Sequence, residues 1–100
     1  DKTGKVQQPT ITSVQSAAST ADWKVPGMAV NLNNQKGWPI TAATFIIVNK
    51  QGNTKTQDVL KFFDWAFTNG DALATGLDYV PLPAQAKDQV RSEWTKTIKK

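Results

Sequence analysis

The chain has 100 residues, with 12 Lys and Arg against 8 Asp and Glu, a net charge of +4, and neither Cys nor His. A hydrophobic content of 39% is too high for a disordered tail and too low for a membrane protein. The missing Cys and His exclude a disulfide framework, a thiolate nucleophile, a Cys- or His-ligated zinc and any Ser-His or Cys-His pair.

Residues 1–9 read as a polar loop punctuated by Gly4 and Pro9, without the apolar core of a signal peptide. From Thr10 to Ala21, apolar residues at Ile11, Val14, Ala17, Ala18 and Ala21 have helical spacing, with Thr10 or Thr12 as N-cap. Pro26-Gly27 marks a turn, residues 28–32 give a weak strand signal, and residues 33–37 form a polar loop. Ile40 to Lys50, with Thr44, Phe45, Ile46, Ile47 and Val48 at its centre, has the strongest strand composition in the chain. Its unbroken apolar character predicts burial on both faces. A lone strand cannot achieve that, and the chain offers few neighbours.

Gln51-Gly52-Asn53 is a turn before the clearest helix, Thr54 to Asn69. There Val59, Leu60, Phe62, Phe63, Ala66 and Phe67 cover an arc of about 160°, and Trp65 falls outside it. Gly70 stands where a helix-terminating glycine belongs. Asp71 to Leu77 is a further short helix, and Pro81 and Pro83 fix an extended segment. Pro83 opens a last helix to about Ile98, striped by Ala86, Val90, Trp94 and Ile98. The thin stretch 1–37 contrasts with the apolar load beyond it, which sets a boundary near Gly37-Trp38-Pro39.

No constellation of catalytic residues emerges. The eight carboxylates do not converge in spacing and read as solvated charges. Gly70 to Gly76 lacks the Lys-Ser/Thr ending and preceding strand of a phosphate loop. Lys87, Arg91, Lys96, Lys99 and Lys100 crowd the last helix. They read as a solvated face that complements the helix dipole rather than as a nucleic-acid patch, for which one Arg is meagre.

Three strings carry a resemblance. They are Trp38-Pro39-Ile40-Thr41-Ala42-Ala43-Thr44-Phe45-Ile46, preceded by Asp22-Trp23-Lys24 and residues 32–37; Val59-Leu60-Lys61-Phe62-Phe63-Asp64-Trp65-Ala66-Phe67; and Leu77-Asp78-Tyr79-Val80-Pro81-Leu82-Pro83. In this order they resemble the C-terminal third of bacterial periplasmic phosphate-binding proteins, the solute receptors of the phosphate ABC transporter. The resemblance covers essentially the whole chain.

It implies an α/β fold: a fragment of a two-lobed periplasmic binding protein of type II, with helices packed on a mixed sheet. Residues 1–37 would end the second lobe. Trp38, Pro39 and Ile40 would form the hinge crossover, and residues 38–100 would return to the first lobe. The strand at 40–50 would then find its neighbours in an upstream part of the same chain, making Asp1 a fragment start. The family's phosphate contacts are a Thr-Phe pair, a Ser, an Asp, an Arg and a Ser-Gly-Thr run, and all lie upstream. No Ser-Gly-Thr occurs here, and Arg91 falls on the terminal helix, so no phosphate-contacting residue is carried over. The resemblance further implies a periplasmic, non-enzymatic phosphate transport component without cofactor or metal. Its partners would be inorganic phosphate, the membrane permease subunits and the upstream chain, with no nucleic acid. The alternative is a structural fragment that self-associates through its exposed strand without binding ligand.

Overall fold

Residues 1–25, 30–33 and 35–98 are described by the computed structural model. They carry four helices: α1 (Ile11–Thr20), α2 (Thr54–Asn69), α3 (Asp71–Gly76) and α4 (Ala84–Thr97). Each begins where its local chemistry dictates. The Thr10 side chain accepts from the Ser13 N–H at 3.1 Å and caps α1. The Asn53 side chain accepts from the Thr56 N–H at 2.9 Å and caps α2. Pro83, at φ −66 and ψ 156, stands just before α4 as its N-cap rather than as its first residue.

Gly70 ends α2 where expected, but not in the left-handed conformation. Gly70 has φ −90, and the chain turns directly into α3. A Cβ on Gly70 would lie 2.6 Å from the Ala66 carbonyl oxygen, so glycine serves close approach there rather than a left-handed turn. The left-handed residue is Asp78, at φ 63. Around it the Asp78 N–H donates to Thr75 at 3.1 Å and the Tyr79 N–H to Ala74 at 2.9 Å. Those two bonds are the Schellman pair that closes α3.

The expected α/β architecture, with helices on a mixed sheet, is not what forms. Among the described residues there is no strand, and 40–49 take up no regular secondary structure. The physical reason is backbone pairing. A helix satisfies its N–H and C=O groups within itself, whereas an extended run needs a second row of donors and acceptors. Nothing in the described residues supplies that row to 42–48, whose backbone makes no hydrogen bond to another described segment. Ile46 is 54% exposed and Ile47 86%. The weak strand signal at 28–32 falls partly outside the described residues, and its described part, 30–32, is not a strand.

α2 packs against α3, and α1 against α4. The buried apolar residues are Ala17, Ala18, Ala21, Leu32 and Ala86, and no large side chain among the described residues is fully buried. The Cα radius of gyration is 14.5 Å, against about 13 Å for a compact domain of this length.

Candidate functional site: a tethered crossover and an open apolar cleft

Of the three residues expected to form a hinge crossover, Trp38 and Pro39 are held to the first part of the chain. The Trp38 N–H donates to Ser13 of α1 at 3.1 Å. The Thr41 hydroxyl donates to the Trp38 carbonyl at 2.7 Å, and the Asn33 side chain donates to that of Pro39 at 3.0 Å. Gly37 makes this contact possible. Its φ is +117, and a Cβ would stand 2.1 Å from the Ser13 oxygen. Trp38 and Pro39 are half-buried, while Ile40 is 77% exposed.

Asp1 braces the same corner. One carboxylate oxygen accepts from the Thr3 N–H and hydroxyl and the Lys5 N–H, and the other from the Gln7 side chain at 2.8 Å and the Gly37 N–H at 3.3 Å. Its ammonium donates to the Lys5 carbonyl at 3.1 Å.

Beyond Pro39 the chain borders an open cleft of about 720 Å³. Val14 and Ala18 of α1 line one side, Phe63 and Phe67 of α2 with Val90 and Trp94 of α4 another. Residues 40–46, Val48 and the extended segment 78–82 complete the wall. The Gln15 side chain donates to the Pro81 carbonyl at 3.1 Å and ties α1 to that segment. Phe67 and Trp94 stack nearly parallel, with centroids 5.6 Å apart. Of the other tryptophans, Trp23 also lines the cleft and donates its indole N–H to Ala18 at 2.8 Å, whereas Trp65 stands 54% exposed outside it.

Two of the basic residues of the last helix, Lys87 and Arg91, depart from the solvated face expected of them; Lys96 is exposed, and Lys99 and Lys100 lie outside the described residues. Lys87 is buried, and its ammonium donates to the Phe67 carbonyl and to Asp71, both at 2.7 Å. It thereby satisfies a carbonyl in the last turn of α2 and pairs with the first residue of α3. Arg91 donates to Asp64 at 2.7 Å and to the Thr68 hydroxyl at 3.1 Å, reaches Asp88 at 3.5 Å, and lies over the Phe67 ring. The sole Arg of the chain is therefore engaged in joining α4 to α2. Among the described residues no group of three or more acidic side chains could hold a metal ion, and no helix is long and apolar enough to cross a membrane.

Sequence reasoning missed the roles of Lys87, Asp1 and Asp78. Lys87 meets partners 16 and 20 residues away, beyond the reach of local spacing. Asp78 did carry a signal. A short helix ending just before an extended proline segment needs a left-handed residue, and Asp tolerates that conformation better than most.

No family model matches the chain. Individual proteins of one class do match: phosphate-binding proteins. The chain is 45% identical over 105 aligned residues to the phosphate-binding protein PstS of Haemophilus influenzae and 41% identical to that of Pasteurella multocida, with 99% of the chain covered in both. It is 37% identical to that of Xylella fastidiosa over 96% of the chain. It spans 31%, 30% and 28% of the length of those proteins. Along nearly its whole length the chain is thus similar to one segment, about three tenths, of a phosphate-binding protein PstS.

Proposed function

We propose that the chain is one part of a periplasmic phosphate-binding protein, which captures inorganic phosphate and delivers it to the membrane permease subunits of an ABC transporter. The observation that carries this reading is 45% identity along 99% of the chain. In the proposed parent, residues 1–37 end one lobe and residues 38–100 return to the other, with Trp38, Pro39 and Ile40 as the crossover. The tether of Trp38 and Pro39 to the first part, and the exposure of Ile40 just beyond it, support a change of partner at this point.

The segment acts as scaffold. A dehydrated phosphate needs several converging donors, such as helix N-termini, hydroxyls and an Arg. Arg91 already serves Asp64, Asp88 and Thr68. The phosphate contacts then belong to the portion of the parent outside these residues, which is also the segment's structural partner. The role is binding and transfer rather than catalysis, in keeping with the relatives, which are named for phosphate binding.

Calorimetric titration tests the reading. A whole-length protein carrying this segment should bind inorganic phosphate one to one, and the 100-residue chain alone should show no heat of specific binding. Tight binding by the isolated chain would place the site within it and refute the scaffold role. A whole-length protein that ignores phosphate and takes up another anion would refute the ligand.

A further inference from the structure

The cleft is lined mostly by apolar residues, with a few neutral polar ones such as Gln15 and Thr44. Among the described residues, Asp78 and Glu93 are the only charged ones that line it, in a chain of net charge +4. Among the described residues the ion pairs engage Asp64, Asp71 and Asp88, and neither Asp78 nor Glu93. Glu93 accepts from the Thr97 hydroxyl, at 2.8 Å. Asp78 holds φ 63, a conformation that glycine adopts freely and that an L residue adopts under strain. A carboxylate is therefore kept at the cleft wall where the backbone alone would favour glycine.

The chain spans at most 31% of the relatives' length, so about two thirds of such a parent lies outside these residues. That is ample polypeptide to cover the cleft and the unpaired run at 42–48. Covering Asp78 with purely apolar groups would desolvate its carboxylate without compensation. We propose that the cleft seats a segment from the outside portion of the parent, apolar along 40–48 and the aromatic faces of α2 and α4, with a Lys or Arg that pairs with Asp78. The proposal rests on the chain being part of a longer phosphate-binding protein.

The test compares the isolated chain with a chimera in which it replaces the matched residues of the Haemophilus influenzae protein. Asp78→Asn removes the charge and retains a side chain that tolerates the left-handed conformation. In the isolated chain the melting temperature should stay unchanged. In the chimera it should fall by about 2–4 °C, and less so in high salt. Amide exchange at 42–48 should be fast in the isolated chain and slowed roughly 100-fold or more in the chimera.

An equal effect of Asp78→Asn in both contexts, or unprotected amides in the chimera, would overturn the proposal. So would a chimera that fails to fold, because a cleft of this shape and charge should accept the relative's segment. Protection of 42–48 in the isolated chain that grows with its concentration would make a second copy the occupant and overturn it too. Phosphate titration of the same chimera separates the two readings. Protection and charge coupling without phosphate binding would sink the proposed ligand and leave the seat standing.

Discussion

The helical block α2–α4 and the run at 42–48 are both rich in apolar residues, yet only one of them reaches regular structure. α2 carries three phenylalanines and a tryptophan and keeps its helix with Phe62 60% and Trp65 54% exposed. The run carries Phe45, Ile46, Ile47 and Val48, the better strand formers, and takes up no regular element. The difference lies in where each finds its backbone partners. A helix closes its hydrogen bonds over four residues, and α2 adds a capped start, an ion-paired side and a lysine on its last turn. An extended run depends on another segment for every bond. Apolar composition sets how much surface an element would bury, and pairing decides whether it forms at all.

Three substitutions test that contrast. Gly37→Ala should have the largest effect, because a Cβ meets the Ser13 oxygen and φ +117 excludes it. It should lower the unfolding free energy by about 3 kcal/mol, measured by urea denaturation, and release Trp38 from α1. An effect below about 1 kcal/mol would mean that the tether of the run to α1 is loose. Lys87→Met should come next. It strips the donor from the Phe67 carbonyl and the partner from Asp71, at about 1–3 kcal/mol, with helical circular dichroism lost from the α2–α3 junction first. Little change would show that the block stands on backbone closure and aromatic stacking alone. Ile47→Thr should have the smallest effect, within about 0.5 kcal/mol, because the side chain is 86% exposed. It should reduce any association of the isolated chain seen by sedimentation. A large loss of stability would reveal that the run is held in place after all.

The same distinction explains how much was legible in the sequence. The spacing of Val59, Leu60, Phe63 and Phe67, flanked by Asn53 and Gly70, fixed α2 to its observed ends, because a helix is written in local periodicity and caps. The sequence left Thr10 and Thr12 both open as the start of α1, and the structure uses Thr10. The run at 40–50 invited a sheet, since β-branched residues describe a preference and say nothing of whether partners exist. A change in composition near Gly37 was legible, and just beyond it the structure ties Trp38 and Pro39 to Ser13 and Asn33. The inward turn of Lys87, the occupation of Arg91 and the cleft between α1 and α4 were not legible. Each depends on contacts between residues far apart in the chain.

The Asp1 clasp has a practical consequence at the bench. Its carboxylate makes its contacts through the side chain, and its nitrogen donates one bond, to Lys5. A peptide N–H can give that bond as well as an ammonium can. A residue joined ahead of Asp1, whether native chain or a fused reporter, should therefore leave this corner undisturbed, because the side chain makes the clasp.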